Sequence, residues 1–141
     1  GYNLRSTEIN AFLGIMMLKK INQWIKIRNE NFKNFINILN KFKDEFLTSY
    51  DKGMSSFVLP FLMNDTKKKI KLESYLNKNG IETRPFIAGN LLRQPFLKRF
   101  KKTTFNNSDF IEFNAFYIGN NQFINKTRMN RLFKLLKNFY N

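Results

Sequence analysis

The sequence is organised around residues 80–95, which read Gly-Ile-Glu-Thr-Arg-Pro-Phe-Ile-Ala-Gly-Asn-Leu-Leu-Arg-Gln-Pro. Gly80 is typical of a helix end, because glycine adopts the left-handed backbone found there without steric cost. The run 81–86 predicts a short strand directly after that helix end. The pair Gly89-Asn90 also tolerates left-handed backbone, so we expect the strand to give way to a tight turn.

Polar side chains surround this turn: Arg84, Asn90, Arg93 and Gln94 lie within an otherwise apolar segment. An arginine guanidinium has five donors in a planar fork that matches carboxylate or phosphate oxygens two at a time. Loops held by a scaffold are also common places for functional polar groups. The pattern suggests an anion pocket at the end of the strand. The alternative is that both arginines are ordinary surface side chains.

The composition indicates one globular domain. The 141 residues are 43% hydrophobic and 16% aromatic, which suits a buried core and not a disordered chain. Neither cysteine nor histidine is present, so thiolate metal sites and most nucleophile and general-base arrangements are excluded within these residues. No apolar run approaches the roughly 20 residues that cross a bilayer. The chain begins without methionine, inside what reads as a motif, and we expect it to be a fragment.

The net charge of +15 raises the question of a polyanionic partner. Basic residues cluster at 67–71 and 98–102, and such patches attract nucleic acid or anionic membrane without sequence specificity. The chain is also rich in asparagine, isoleucine and phenylalanine, a joint excess that suggests an AT-rich genome drifting surface positions toward lysine. No nucleic-acid motif accompanies the charge. We therefore favour drift and keep a basic binding module as the alternative.

The first part of the chain, residues 1–42, is expected to form long leading helices. Ser6 or Thr7 can cap the first of them, and apolar residues then recur at helical spacing. A helical run of this length should break, and Lys19-Lys20 is the expected place. Met16, Met17 and Trp24 on these helices are interpreted as packing residues.

Residues 43–141 are expected to form a sheet-containing small domain, and the whole chain is treated as one domain of two-layer α+β class with about three strands covered by helices. Pro60 assigns part of the first strand to an edge or a bulge, because proline cannot donate to the ladder. In chain order we predict a strand at 55–62, a helix at 64–79, the strand 81–86, a short helix at 95–100, a segment of ambiguous pattern at 105–114, a strand at 115–118 and a final amphipathic helix from Asn125 or Thr127.

Three segments of the sequence resemble one known family. They are the opening Gly1-Tyr2-Asn3-Leu4-Arg5, the run 84–95 and residues 114–120, which read Asn-Ala-Phe-Tyr-Ile-Gly-Asn. Their order and spacing resemble the C-terminal part of the PLP-dependent sugar enzymes of the DegT/DnrJ/StrS family. Within that family, the resemblance is to the nucleotide-linked 4-keto-6-deoxyhexose 3-dehydratases.

The resemblance implies the small C-terminal domain of a fold-type-I PLP enzyme that acts on a nucleotide-sugar in deoxy- or amino-sugar biosynthesis for O-antigen or another surface polysaccharide. It also implies a homodimer, a large domain of the same enzyme and a cytoplasmic location. Asn3 would bind the PLP phosphate across the dimer interface, with Tyr2 and Arg5 lining the same region. The residues that would face the nucleotide-sugar are Arg84, Asn90, Arg93, Gln94, Asn114 and Tyr117.

No catalytic residue and no metal ligand is expected within these residues. By resemblance, the Schiff-base lysine of the aminotransferases belongs to the large domain, and so does the histidine that replaces it in the 3-dehydratases. The choice between transamination and dehydration therefore stays open, and the segment alone is expected to be inactive. Neither membrane nor nucleic acid is expected as a partner.

Overall fold

The computed structural model describes residues 7–49, 51, 54–87, 89–97, 99–100 and 104–141. Two leading helices are followed by a small sheet with further helices, as the periodicity predicts. The helices are α1 (Glu8–Leu18), α2 (Ile21–Leu39), α3 (Thr66–Lys78), α4 (Asn106–Asn114) and α5 (Lys126–Tyr140). The strands are β1 (Val58–Leu62), β2 (Arg84–Pro85) and β3 (Ala115–Gly119).

The three strands form an antiparallel sheet in the order β1-β3-β2. β1 is an edge strand in which Pro60 lies opposite Tyr117, and this confirms the expectation drawn from the proline. Leu59 and Phe61 are buried, whereas the β1 residues between and beside them are only half-buried. Because side chains alternate along a strand, Leu59 and Phe61 point to one face of the sheet, and Pro60 and Tyr117 point to the other.

Helices α2, α3 and α5 share one core with the buried face of the sheet. Phe61 is central to it: its ring stacks on Phe116 at 4.6 Å and meets Phe35 edge-on at 5.0 Å. Each fully buried side chain of this size stabilises the fold by about 1.5–3 kcal/mol. The buried apolar residues are Phe32, Phe35, Leu39, Phe46, Leu59, Phe61, Met63, Leu72, Leu76, Ala115, Phe116, Ile118, Met129, Leu132 and Leu136.

Side-chain caps fix where three helices begin. The Asp65 carboxylate accepts two backbone N–H groups of the first turn of α3, at 2.7 and 3.1 Å. Asn125 accepts a backbone N–H at the start of α5 at 3.0 Å, and the Thr7 hydroxyl accepts one at the start of α1 at 3.3 Å. Each cap contributes about 1 kcal/mol, and all three stand where the sequence predicts a helix start.

Helix α1 stands apart from this core. It ends at Leu18, and α2 begins at Ile21, so the break falls at Lys19-Lys20 as expected. None of its eleven residues is buried, although seven of them are large and apolar. An apolar helix without core contacts is typical of a surface that other protein covers. None of the helices in the described residues has the length and apolarity needed to cross a bilayer.

The strand expected at 81–86 is wrong in length, because only Arg84–Pro85 pair with β3. The preceding backbone is bonded to α3 instead. The Ile81 N–H donates to a carbonyl of α3 at 2.9 Å, and the Thr83 N–H donates to the Asn77 side chain at 3.1 Å. These bonds extend the end of the helix and leave too few free groups for a longer ladder.

Two later segments also refine the sequence-based expectations. The short helix expected at 95–100 is a single 3₁₀ turn, Pro95–Leu97, preceded by another 3₁₀ turn at Leu91–Arg93. The ambiguous segment at 105–114 is the helix α4, which starts after Phe105 without a side-chain cap. Its placement brings α4 alongside the 3₁₀ turns, and the candidate site lies there.

Candidate functional site

Arg93 is held by three side chains of α4. Its Nε donates to Asp109 Oδ1 at 3.0 Å and lies 3.4 Å from Glu112 Oε2, and its guanidinium carbon lies 4.9 Å from the centre of the Phe113 ring. In both carboxylate pairs the closest guanidinium nitrogen is Nε, and among the described residues no hydrogen bond joins an Nη group of Arg93 to another side chain. The side chain is 49% exposed. Arg93 is therefore fixed at one edge and open to an anion at the other.

Asn90 lies beside Arg93, and its polar groups bind within the chain. Its side-chain nitrogen donates to Asp109 Oδ1 at 2.8 Å, and its side-chain oxygen accepts from the Leu92 N–H at 3.1 Å. Its backbone N–H donates to Glu112 Oε2 at 3.0 Å. Since Asn90 is only 6% exposed, its carboxamide holds the turn against α4, where the sequence suggested a contact with substrate.

The acidic partners come from one face of α4. Asp109, Glu112 and Phe113 are spaced i, i+3 and i+4, which places them on the same side of a helix. The hydrogen bond from Asn90, followed by the one from Arg93, lowers the pKa of the Asp109 carboxyl below its usual value. Neither Asp109 nor Glu112 was among the site residues expected from the sequence. The helical spacing to Asp109 was the available signal, but the pattern of this segment was ambiguous.

Arg84 occupies a separate place on the surface. Its Nη2 and Nε contact the same oxygen of Glu82, at 2.5 and 2.8 Å, in a pair whose side chains are 65% and 72% exposed. Arg84 lies opposite Tyr117 in the β2–β3 pairing, and the ring of Phe86 meets that of Tyr117 edge-on at 5.8 Å. Within the part of the chain that is described, no contact joins Arg84 to Arg93.

The two remaining expected substrate contacts differ in their surroundings. Asn114 is buried at the junction of α4 and β3, where its side-chain oxygen accepts from the Thr66 hydroxyl at 2.8 Å and its carbonyl accepts from the Met63 N–H at 3.0 Å. Gln94 follows Arg93 directly and is half-buried. Asn114 thus belongs to the interior, whereas Gln94 lies next to the open guanidinium.

The residues expected at the PLP phosphate, Tyr2, Asn3 and Arg5, lie outside the described residues. The described chain starts at Thr7, at the beginning of α1. In the described ranges, no group of three or more acidic side chains is arranged to hold a metal ion.

Two clefts lie next to the sheet. The larger, of about 480 Å³, is bounded by the end of α3, the strands β1 and β3 and the first half of α5, and Arg128 and Arg131 lie along it. The smaller, of about 160 Å³, is apolar and is lined by Phe86 among others. Neither cleft is lined by Arg84 or Asn90, so these two residues do not share either of them.

The lysine cluster at 67–71 is partly neutralised within the domain. Lys68 Nζ lies 2.7 Å from a carboxylate oxygen of Glu45, and Lys69 Nζ lies 2.7 Å from one of Glu73. Most of the second basic cluster lies outside the described residues. The pairing of two of the four lysines at 67–71 reduces the positive potential that a polyanion would meet.

Comparison with known proteins assigns the family. The family model described as the DegT/DnrJ/EryC1/StrS aminotransferase family matches residues 1–133. The chain belongs to this family. The resemblance drawn from the three sequence segments is thereby confirmed.

The similar members of the DegT/DnrJ/EryC1/StrS family are sugar enzymes. The chain is 37% identical over 131 residues to the GDP-4-keto-6-deoxy-D-mannose 3-dehydratase of Escherichia coli O55:H7, covering 86% of this chain and 33% of that protein. It is 28% identical over 127 residues to the lipopolysaccharide biosynthesis protein RfbH of Salmonella typhimurium, covering 84% and 29%. The solved E. coli GDP-4-keto-6-deoxy-D-mannose-3-dehydratase with bound hydrated PLP superposes with a TM-score of 0.85 at 29% identity, covering 96% and 36%.

This member of the DegT/DnrJ/EryC1/StrS family spans about a third of the length of the relatives it matches. The superposition confirms the α+β class and places the fold with the smaller part of fold-type-I PLP enzymes.

Proposed function

We propose that this chain works as the C-terminal domain of a cytoplasmic PLP-dependent nucleotide-sugar enzyme, a 3-dehydratase or an aminotransferase. The pathway would make deoxy or amino sugars for a surface polysaccharide such as lipopolysaccharide. The observation that carries the proposal is the superposition of nearly the whole chain on a PLP-bound 3-dehydratase. The name of the E. coli O55:H7 relative, a GDP-4-keto-6-deoxy-D-mannose 3-dehydratase, favours a guanosine diphosphate sugar as the substrate class.

Substrate binding is assigned to the surface around the open edge of Arg93. Its two Nη groups can donate to two oxygens at once, which suits the diphosphate of a nucleotide-sugar. Neighbouring amide and hydroxyl groups suit the sugar, because each can donate and accept. The proposed contacts are Arg84, Arg93, Gln94 and Tyr117, whereas Asn90 and Asn114, which are buried and internally bonded, support this surface from within.

The residues of this chain that suit PLP are those that would bind its phosphate group. Tyr2, Asn3 and Arg5 all carry donors suited to phosphate oxygens, and we assign the phosphate to them. When bound, PLP supplies an electron sink that stabilises carbanions. The chain has no histidine, and we assign the catalytic lysine or histidine to the large domain.

Helix α1 is the proposed contact with the rest of the enzyme. Its apolar side chains are exposed all along the helix, and the segment assigned to the PLP phosphate directly precedes it. We propose that α1 packs against the large domain of the same enzyme and that two such enzymes form a homodimer. Docking of α1 would then carry Asn3 to the cofactor.

The competing function is a basic surface module for nucleic acid or anionic membrane, which the net charge of +15 favours. The internal pairing of Lys68 and Lys69 speaks against it. Salt dependence separates the two functions. Binding to a phosphate backbone falls by orders of magnitude between about 50 and 200 mM salt, whereas a built diphosphate site is less sensitive.

The activity test uses the full-length protein that carries this chain, supplied with PLP, glutamate as amino donor and GDP-4-keto-6-deoxy-D-mannose. Loss of the C3 hydroxyl in the product, seen by NMR and mass spectrometry, identifies a 3-dehydratase, and an amine at C4 identifies an aminotransferase. Arg93→Gln is expected to raise KM about tenfold, because a bidentate contact to the diphosphate is lost. An unchanged sugar, together with salt-sensitive binding of random DNA, would support the basic module instead.

A further inference from the structure

We infer that Asp109 is a positioning residue for nucleotide-sugar binding: it holds Arg93 by its Nε edge so that the Nη edge is presented to a diphosphate. The identity of the ligand rests on the proposed function, whereas the geometry rests on the contacts of α4. Asp109 itself would not touch the ligand, since it lies at the opposite edge of the guanidinium.

Three side chains of α4 contact the guanidinium of Arg93. Asp109 accepts from Nε at 3.0 Å, Glu112 lies 3.4 Å from the same nitrogen, and the guanidinium carbon lies over the Phe113 ring, 4.9 Å from its centre. A free arginine side chain loses rotamer entropy when it is fixed. Because this cost is met when the chain folds, a ligand that meets Arg93 does not pay it on binding.

Other groups of the protein hold the Asp109 carboxylate in place. The same oxygen that accepts from Arg93 also accepts from the buried Asn90 at 2.8 Å, and the carboxylate is carried on α4. The guanidinium of Arg84, unlike that of Arg93, is bound through both Nε and Nη2. Both nitrogens bind one oxygen of Glu82, and both side chains are largely exposed, so that fork is already occupied by a partner that solvent surrounds.

When Asp109 is replaced, a positioning role and simple electrostatics predict opposite changes in the affinity for an anionic ligand. A carboxylate near an anion site repels the anion, so removing its charge alone should tighten binding. If Asp109 positions Arg93, removing its acceptor should weaken binding despite the gain in positive charge. Asp109→Asn removes the charge and keeps an oxygen acceptor, whereas Asp109→Ala removes both.

The test measures the affinity for GDP of the full-length protein that carries this chain, by NMR titration. We expect Asp109→Ala to weaken GDP binding about fivefold, as for loss of one charge-assisted hydrogen bond at a part-exposed site. Asp109→Asn should bind GDP as tightly as the wild type or more tightly. Glu82→Gln, the matched control, removes a carboxylate from the other arginine and should leave binding unchanged or tighter. Equal tightening in Asp109→Ala and Asp109→Asn would overturn the inference.

A second readout does not depend on any ligand. The Nε–H resonance of Arg93 should exchange slowly with water in the wild type and in Asp109→Asn, and should be lost to exchange in Asp109→Ala. An unaltered resonance in Asp109→Ala would overturn the inference while leaving the proposed function intact. Absence of GDP binding by the full-length wild type would instead overturn the proposed function, so the two failures are distinguishable.

Discussion

The side chain of Glu112 packs against the backbone of Gly89. A Cβ built on Gly89 would lie 2.8 Å from Glu112 Cγ and 2.9 Å from its Cδ, and the φ of Gly89 is +53°. One oxygen of the same carboxylate accepts from the next backbone N–H, that of Asn90, at 3.0 Å. The turn and α4 are therefore interlocked at a position that only glycine fits.

Gly89→Ala is expected to destabilise the chain by at least about 1–2 kcal/mol, the cost of left-handed backbone in a residue with a Cβ. The added methyl also displaces Glu112, so the amide of Asn90 should lose protection from hydrogen exchange. Gly14→Ala is the control, because a Cβ there meets nothing and removing a helix glycine stabilises by about 0.5–1 kcal/mol. Equal effects of the two substitutions in urea unfolding would contradict this account.

The pH dependence of the α4 contacts follows from Asp109. Its pKa is lowered from the usual 3.8, first by the hydrogen bond from Asn90 and then by Arg93. The stabilisation is therefore fully present above pH 3.8 and is lost as the pH falls through the lowered value. A carboxyl titration followed by NMR should give a midpoint for Asp109 below 3.8, and Asn90→Ala should raise it. A wild-type midpoint at or above 3.8 would refute the assignment.

Tyr140 provides a test of the core that is independent of the site. Its hydroxyl is buried without a hydrogen-bond partner among the described residues, and burial, with a smaller effect of the Glu45 charge, raises its pKa above 10.0. Tyr140→Phe should therefore be neutral or stabilise by up to about 1 kcal/mol at pH 7. Above pH 10, the wild type should lose more stability than Tyr140→Phe, since the Tyr140 hydroxyl releases its proton first in the unfolded state. Marked destabilisation by Tyr140→Phe would mean that the hydroxyl has a partner.

The exposed surface of α1 predicts how the isolated chain behaves. The 141-residue chain should self-associate in sedimentation velocity, and Leu13→Glu combined with Met17→Glu should reduce this, since the two residues lie one turn apart. Because α1 buries no residue, thermal unfolding should change little. Ile70→Glu on α3 is the control, as Ile70 is exposed but outside α1. A monomeric wild type would contradict the contact role of α1.

Much of the fold follows from local sequence signals. Asp65 and Asn125 cap helices where the sequence places them, and Pro60 marks the edge strand. The length of β2 could not be predicted in the same way. The length of β2 depends on the hydrogen bond from the Thr83 N–H to the Asn77 side chain. This bond forms because the segment after α3 folds back against the end of that helix.

The candidate site was predictable only in part. Arg93 was found because guanidinium groups next to a glycine turn are a chemical signal in the sequence itself. Its partner Asp109 lies 16 residues away, and the partner of Asn90 is the same carboxylate. Which carboxylate meets which donor is decided by how α4 packs, and no spacing within the turn encodes that choice. The substrate contact expected of Asn90 remains a prediction, and it did not include this internal partner.

A GDP titration of the full-length protein at about 150 mM salt, mapped by ¹H–¹⁵N NMR, decides whether the surface around Arg93 binds the nucleotide. The account predicts saturable shifts around Arg93, Gln94, Arg84 and Tyr117 that disappear in Arg93→Gln. Shifts centred on Lys67 to Lys71 that fade steeply with added salt, or an unaffected Arg93, would contradict it.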